Sequence, residues 1–294
     1  MGVNQILIVG SGAMGSGIAQ SAIAAGYQTF LYDIDNERVE KAIESIIGRL
    51  VRKVYKQKMT QKEIDKAAAL LSGCSELAPA AEVDMVIECI YEDFDAKEAV
   101  FADVQRYTKK DVILASNTSS FSITSLAKAA KRPERFIGMH FFNPVPVMKL
   151  LEITRGLATS DETLEATREV GARMGKVMIV SKDMPGFIVN RILDPMGNEA
   201  IQLLDEGIGS VEDIDNGMKH GCNHPMGPLE LMDMVGLDVL LAVMETLYQE
   251  LGDSKYRPAP LLRKMVRAGW TGQKAGRGFY VYHTNGAKCP NPQL

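Results

Sequence analysis

The fold of this 294-residue chain is decided near its start, by the stretch ILIVGSGAMGSG at residues 6–17. The apolar run at 6–9 predicts a buried strand, and the residues after the stretch's central turn have helical spacing. The turn has the pattern GxGxxG and consists of Gly10, Ser11, Gly12, Ala13, Met14 and Gly15. The first glycine permits a tight turn, the second lets backbone approach a pyrophosphate, and the third allows close helix packing. Strand, turn and helix together predict a dinucleotide-binding site.

An acidic residue completes this pattern. Asp33 ends the second predicted strand, 18 residues after Gly15. A carboxylate there can accept hydrogen bonds from both ribose hydroxyls of NAD, and it would repel a 2′-phosphate. The next residue is Ile34 rather than an arginine, so NAD is favoured over NADP. FAD uses the same fingerprint and remains an alternative, as does a glycine-rich turn without a ligand.

The first half of the chain alternates short apolar runs with helical segments, which predicts a mostly parallel, doubly wound α/β sheet. The predicted strands lie at 6–9, 28–32, 85–89 and 112–115, and the helices at 13–25, 36–58 and 94–107. Two further strands, at 136–142 and 149–154, are too close together for a helical crossover. We therefore expect them to form an antiparallel pair.

After a last strand at 176–180, the strand signal largely disappears. Helical spacing predicts an all-α second domain with helices at 188–206, 211–218, 229–251 and 260–268. The expected domains are therefore residues 1–183 and 184–294.

The composition is that of a globular protein, with 46% hydrophobic and 24% charged residues. The formal net charge of −4 gives no reason to expect nucleic acid or a membrane surface as a partner. No apolar run approaches the ~18 residues of a membrane span. Because the N-terminus lacks a signal-peptide pattern and the four cysteines form no CxxC pair, we expect a cytoplasmic location.

A proton acceptor is expected near the end of the strand at 136–142. His140 lies there and Glu152 lies in the next strand, so a hairpin would place them opposite each other, with Cβ atoms ~5 Å apart. A carboxylate on one ring nitrogen fixes the tautomer and stabilises the imidazolium that forms when the other nitrogen takes a proton. A structural histidine bonded to the backbone is the alternative.

Two further polar segments could complete such a site. Residues 116–120, SNTSS, follow a parallel strand at the edge where doubly wound sheets bind ligands. A helix N-cap is the other interpretation of these residues. Asn190 begins the helical domain and could reach a cleft between the domains, although a capping or surface role is the simpler interpretation of an isolated amide.

The long helix at 36–58 is expected to carry a basic stripe with the spacing of one helix face, formed by Arg49, Arg52, Lys53 and Lys56. Such a stripe suits a polyphosphate, and a solvated helix face is the alternative. His220, Cys222 and His224 look at first like metal ligands. No fourth ligand accompanies them in what looks like a loop, so we expect no metal site.

Together these segments resemble the L-3-hydroxyacyl-CoA dehydrogenase family over nearly the whole chain, and in particular its compact bacterial 3-hydroxybutyryl-CoA dehydrogenases. The resemblance rests on residues 10–15 with Asp33, 116–120, 139–144, 151–153, 185–191, 224–228 with 236–238, and 276–280. It implies a Rossmann-like NAD-binding domain followed by a helical domain for substrate binding and dimerisation.

The resemblance also implies roles for individual residues. His140 is the implied catalytic base, Glu152 is its partner, and Ser119 and Asn190 position the substrate oxygen. Beside the glycine loop and Asp33, the implied NAD contacts are Glu92, Lys97, Ser119, Asn143 and Lys274. The basic stripe would lie where this family binds the phosphates of CoA, with no choice made among Arg52, Lys53 and Lys56.

The implied activity is NAD-dependent oxidation of an (S)-3-hydroxyacyl-CoA to the 3-ketoacyl-CoA, and the reverse reduction, by a homodimer. The alternative among enzymes is a dehydrogenase of a free hydroxy acid, as in the L-gulonate dehydrogenase and lambda-crystallin branch. The alternative outside enzymes is a non-catalytic protein that keeps the dinucleotide-binding fold.

Overall fold

The computed structural model of the chain describes residues 2–55 and 59–294. The chain divides into two compact units, Met1–Met184 and Pro185–Leu294. The boundary expected from the sequence, after residue 183, falls one residue earlier than this division.

The described residues of the first unit form an eight-stranded sheet. Its strands are β1 (Gln5–Val9), β2 (Gln28–Tyr32), β3 (Leu71–Cys74), β4 (Met85–Glu88), β5 (Ile113–Ser116), β6 (Phe136–Phe141), β7 (Leu150–Arg155) and β8 (Val177–Lys182). Their spatial order is β3-β2-β1-β4-β5-β6-β7-β8. Neighbouring strands are parallel except β6 and β7, which are antiparallel. The predicted mostly parallel sheet with an antiparallel pair is therefore confirmed.

Helices connect these strands. They are α1 (Ala13–Ala24), α2 (Asn36–Tyr55), α3 (Gln61–Ala68), α4 (Phe94–Tyr107), α5 (Ile123–Ala130) and α6 (Asp161–Arg173). Ile6, Leu7 and Ile8 of β1 are all fully buried, because helices cover both faces of a doubly wound sheet. Strand β3 was not predicted, since its sequence LSGC is short and weakly apolar.

The second unit is largely helical. Its helices are α7 (Val189–Asp205), α8 (Val211–Asn216), α9 (Pro228–Val235), α10 (Leu237–Leu251) and α11 (Pro260–Arg267). The single helix predicted at 229–251 is wrong, because Gly236 adopts φ +106° and separates α9 from α10. A left-handed backbone of this kind interrupts a helix and is tolerated by glycine.

The prediction of an all-α second domain also omitted a small antiparallel hairpin of β9 (Tyr280–Tyr282) and β10 (Lys288–Pro290). Two buried carboxylates hold β9 in place. Asp233 accepts hydrogen bonds from the amides of Phe279 and Tyr280, both at 2.9 Å, and Asp215 accepts one from the Tyr280 hydroxyl at 2.7 Å. Strands of three residues are too short to show an alternating pattern, so tertiary hydrogen bonds rather than local sequence determine this hairpin.

Another buried carboxyl group of the second unit, Asp194 on α7, is differently placed. It is 5% exposed, and its Oδ2 atom has no hydrogen-bond partner among the described residues. Burial raises the pKa of Asp194 to about 7. A carboxyl group left in this state favours its neutral form.

The four cysteines are free thiols that differ in exposure. Cys89 is buried and Cys74 half-buried, whereas Cys222 and Cys289 are exposed. Burial raises the pKa of the Cys74 thiol to about 11, and it raises that of Cys89 well above the ordinary value.

Within residues 2–55 and 59–294, no group of three or more His, Cys, Asp and Glu side chains is arranged to hold a metal ion. His220 lies in a π-helical turn, Gly217–Gly221, rather than in the expected loop. None of the helices in the same residues combines the length and apolar character needed to cross a membrane.

Candidate active site

The glycine loop joins β1 to α1, and its three glycines have different surroundings. A Cβ atom added at Gly10, where φ is +107°, would lie 2.8 Å from the carbonyl oxygen of Cys89. One added at Gly15 would lie 1.8 Å from the carbonyl oxygen of Gly10. One added at Gly12 would meet nothing within 4 Å. The fold itself therefore requires Gly10 and Gly15, whereas Gly12 keeps open space at the N-terminus of α1.

That N-terminus is arranged to receive an anion. Gly12 is the N-cap residue of α1 and has no side chain to cap the helix, and Gly12 and Ala13 are exposed. Uncapped N–H groups at a helix N-terminus carry a partial positive charge and bind phosphates. The loop therefore fits the pyrophosphate of a dinucleotide.

Asp33, directly after β2, is joined to the glycine loop. Its Oδ2 atom accepts hydrogen bonds from the Ser11 amide at 2.9 Å and the Ser11 hydroxyl at 2.8 Å. Partial burial tends to raise the pKa of Asp33, but the hydrogen bonds from Ser11, together with the Asp35 amide and the charge of Arg38, outweigh it, and the pKa lies below the ordinary value. Asp33 is therefore an ionised acceptor beside the loop.

A buried ion-pair cluster lies at the carboxyl ends of β4 and β5. Lys97 of α4 is 1% exposed, and its Nζ atom lies 2.7 Å from Glu88 Oε1 and 3.3 Å from Glu92 Oε2. Burial alone would lower the pKa of Lys97, but the two carboxylates raise it above the ordinary value, so the ammonium is charged. Glu88 also accepts a hydrogen bond from the Ser116 hydroxyl at 2.6 Å.

Glu92 extends this cluster to the polar loop after β5. Its Oε1 atom accepts hydrogen bonds from the Ser119 amide at 3.1 Å, from the Ser120 hydroxyl at 2.9 Å and from the Thr118 hydroxyl. Among the described residues, the Ser119 hydroxyl makes no hydrogen bond. The predicted site residues Glu92, Lys97 and Ser119 are thus brought together by the structure.

Sequence reasoning missed Glu88, the buried acid that orders this cluster. It ends the apolar run Met85–Glu88. A signal was available, since an acid at the carboxyl end of a parallel strand lies where doubly wound sheets bind ligands.

His140 and Glu152 form a buried pair. The register of β6 and β7 places them directly opposite each other, so the predicted cross-strand register is confirmed. The His140 Nδ1 atom lies 3.0 Å from Glu152 Oε2. His140 is 7% exposed and Glu152 is fully buried. A carboxylate at this distance favours the tautomer with the proton on Nδ1.

Asn117, in the polar loop, also contacts the strand that carries His140. Its side-chain oxygen accepts a hydrogen bond from the amide of Phe141 at 2.9 Å. This contact ties the polar loop to the end of β6 and was not predicted. Asn143, the predicted cofactor contact three residues after His140, is exposed.

The described part of the basic stripe lies on α2. Arg49 is half-buried and donates a hydrogen bond from Nε to Gln20 Oε1 at 2.7 Å. Arg52 is exposed. Lys56 lies outside the described residues, and the description does not extend to the Lys53 side chain.

Two predicted site residues belong to the second unit. Asn190 is half-buried and lies in the first turn of α7. Lys274 lies in a short 3-10 turn, and its Nζ atom pairs with Asp238 Oδ1 at 2.6 Å and Oδ2 at 2.7 Å.

A doubly wound sheet, an open glycine loop with an adjacent acid, and a buried histidine–carboxylate pair define the class of dinucleotide-dependent dehydrogenases. Two family models then match nearly the whole chain. Residues 5–184 match the NAD binding domain of 3-hydroxyacyl-CoA dehydrogenase, and residues 186–282 match its C-terminal domain. The chain belongs to the 3-hydroxyacyl-CoA dehydrogenase family.

The matches to individual relatives extend over nearly the full length of this chain and of each relative. The chain is 49% identical over 286 residues to a 3-hydroxybutyryl-CoA dehydrogenase of Bradyrhizobium diazoefficiens, covering 97% of each chain. It is 49% identical over 282 residues to a probable 3-hydroxybutyryl-CoA dehydrogenase of Bacillus subtilis, covering 96% of this chain and 98% of the relative. The solved structure of (S)-3-hydroxybutyryl-CoA dehydrogenase from Ralstonia eutropha superimposes with a TM-score of 0.94 at 48% identity, covering 96% of this chain and 100% of that chain.

Proposed function

We propose that this protein is an NAD-dependent dehydrogenase of (S)-3-hydroxyacyl-CoA esters with a short acyl chain such as 3-hydroxybutyryl. It oxidises the C3 hydroxyl to a ketone and catalyses the reverse reduction. The observation that carries the proposal is the buried His140–Glu152 pair in a unit that matches an NAD binding domain. The names of the similar proteins support the choice of substrate.

The residues present fit NAD. The open space at Gly12 and the N–H groups of α1 suit the pyrophosphate, and the ionised Asp33 suits the ribose hydroxyls. When bound, NAD supplies the hydride acceptor for C3 of the substrate.

His140 is the proposed acid–base residue. In the oxidation, its Nε2 atom takes the proton of the C3 hydroxyl as the C3 hydride leaves, so proton and hydride depart from the same alcohol. Glu152 holds the Nδ1 proton and stabilises the imidazolium that results. In the reduction, the imidazolium returns the proton to the C3 oxygen.

The other predicted site residues contact the substrate or the cofactor, or position a residue that does. Ser119 and Asn190 position the substrate oxygen, and Glu92, Asn143 and Lys274 contact NAD. Lys97 is buried against Glu88 and Glu92, so we assign it the role of a positioning residue that acts through Glu92. The phosphates of CoA bind along α2, where Arg49 and Arg52 belong to the described part of the stripe.

The protein is further proposed to be a cytoplasmic homodimer that associates through the helical unit. Large apolar side chains of that unit are exposed in the single chain, among them Ile192 at 68% and Ile208 at 69%. A second copy packed against the helical unit would cover such side chains and remove their apolar surface from water. Sedimentation of the purified chain measures its oligomeric state, and cell fractionation measures its location.

NADH formation from (S)-3-hydroxybutyryl-CoA tests the activity. The wild type is expected to turn over, and His140→Ala to lose at least about 100-fold in kcat because the proton acceptor is gone. His220→Ala, which changes an exposed histidine of the second unit, is the matched control and should keep wild-type kinetics. Wild-type kcat in His140→Ala would contradict the proposed base.

The free-acid alternative is tested by comparing (S)-3-hydroxybutyryl-CoA with (S)-3-hydroxybutyrate. We expect turnover of the thioester and an increase in its KM on neutralising Arg52, Lys53 and Lys56. Arg38→Ala with Lys41→Ala, on the same helix, is the control for loss of positive charge. Equal turnover of the free acid, or an unchanged thioester KM in the triple variant, would remove the CoA assignment.

A further inference from the structure

The connection between β6 and β7, residues 142–149, joins the strand of His140 to the strand of Glu152. One side of this connection packs against α1, the helix that begins at the glycine loop. Val145 is 1% exposed, and a Cβ atom added at Gly17 of α1 would lie 3.0 Å from Val145 Cβ and 3.1 Å from its Cγ2. A methyl group at Gly17 would therefore fit only if α1 or the connection shifted by a few tenths of an ångström.

The ammonium group of Lys176 also holds this connection, by hydrogen bonds. Lys176 lies directly before β8, and its Nζ atom donates hydrogen bonds to the carbonyl oxygens of Val145 at 2.5 Å and Met148 at 2.7 Å. The same ammonium lies 6.0 Å from the ring centroid of Phe141, the residue after His140. Among the described residues, no carboxylate forms an ion pair with Lys176, so its hydrogen bonds go to the main chain of the connection.

Charge-assisted hydrogen bonds are shorter and stronger than neutral ones. The two carbonyl groups belong to residues 145 and 148, so one ammonium fixes both halves of the connection. The paired positions of β6 and β7 end at Phe141 and Leu151, so their ladder does not reach residues 142–149. Within the connection, the Pro144 carbonyl oxygen accepts hydrogen bonds from the amides of Val147 and Met148. Lys176 adds two further hydrogen bonds from the residue that precedes β8.

We infer that Lys176 is a positioning residue that holds the β6–β7 connection, and through it the geometry of His140 against Glu152 and α1. This inference rests on the proposed function. It assigns Lys176 no contact with the substrate. Partial burial lowers the pKa of Lys176 below its ordinary value.

The first test is Lys176→Met, which keeps an unbranched apolar side chain and removes the donors. We expect kcat to fall on the order of 10- to 100-fold, because small displacements of catalytic groups have effects of this size, while the KM for NAD stays within about twofold. The deuterium isotope effect on kcat with substrate labelled at C3 should rise toward its limit as the chemical step slows. Lys176→Arg should restore most of the activity, and Lys110→Met, at an exposed lysine of the same unit, should match the wild type.

Chemical rescue separates positioning from general destabilisation. Lys176 lines an open cavity of about 240 Å³, which admits a small amine. In Lys176→Ala, ethylammonium should therefore raise kcat in a saturable manner, whereas it should leave Lys176→Met unchanged because the methionine side chain fills the space.

Gly17→Ala tests the contact between the connection and α1, and it carries the test if the lysine variants do not fold. We expect it to lower kcat by a similar factor, with Gly48→Ala as the control, since a Cβ atom at Gly48 meets nothing within 4 Å. Unchanged kcat and isotope effect in folded Lys176→Met, or in folded Gly17→Ala, would overturn the inference. A wild type without acyl-CoA activity would instead contradict the proposed function, so the two failures are distinguishable.

Discussion

At the scale of single residues, Glu152 is the buried carboxylate on which the proposed chemistry depends. Glu152→Gln removes its charge and presents an amide to His140 Nδ1, which favours the wrong tautomer and leaves the imidazolium without a partner. We expect kcat to fall at least about 100-fold. The Kd of NADH, followed by fluorescence, should stay nearly unchanged because Glu152 lies outside the glycine loop. Retention of wild-type kcat would show that the carboxylate is not needed.

Asp33 is expected to determine the choice of cofactor. Asp33→Asn removes an ionised acceptor, and hydrogen bonds to charged groups contribute about 1.5–3 kcal/mol, so the KM for NAD should rise by about 10-fold or more. The preference for NAD over NADP should fall at the same time, because the repulsion of the 2′-phosphate is lost. Asp111→Asn, at an exposed acid, is the control. Equal NADP discrimination in wild type and Asp33→Asn would contradict this role.

At the scale of elements, two substitutions in the turn into α1 distinguish a glycine needed for folding from a glycine needed for cofactor binding. Gly15→Ala places a methyl group 1.8 Å from the Gly10 carbonyl oxygen, so we expect a chain that folds poorly. Gly12→Ala places one in open space, so the chain should keep its wild-type melting temperature and lose NADH binding by titration. If Gly12→Ala binds NADH normally, the pyrophosphate does not lie over this residue.

The same elements show what could be predicted from the sequence. Buried parallel strands are continuous apolar runs, so β1 and β4 were recognisable from local sequence. Strand β2, with the sequence QTFLY, was recognisable from its threonine and aromatic residues. The close spacing that makes β6 and β7 antiparallel was also visible. The break at Gly236 was missed because its φ is determined by packing and the apolar spacing continues through it. Glu88 was missed because an acid at the end of an apolar strand is an ambiguous signal until Lys97 and Ser116 are seen to surround it.

At the scale of the whole molecule, the two units differ in how their buried charges are balanced. In the first unit Glu88 is paired with Lys97. In the second, Asp194 has an oxygen with no partner in the described part of the chain. Burial of an unpaired carboxyl group costs free energy whenever it ionises, so the second unit should be the more sensitive to pH.

Asp194→Asn tests this sensitivity. The carboxyl group titrates near 3.8 when unfolded and at about 7 when folded, so the folded state holds the extra proton between these values. The free energy of unfolding therefore falls as pH rises through that range and levels off above about pH 7. Relative to wild type, the neutral amide should gain about 2 kcal/mol between pH 5.5 and pH 8. Chemical denaturation at both pH values measures this difference, and a difference that does not change with pH would contradict it.

The unequal exposure of the four thiols has a practical consequence. Thiolates, not thiols, react with maleimides, and burial holds Cys74 and Cys89 of the first unit in the protonated form. Cys222 and Cys289, both exposed, belong to the second unit. A fluorescent or spin label added to the wild-type chain should therefore modify the helical unit selectively, and this chain carries its own attachment points for a spectroscopic reporter of cofactor and substrate binding.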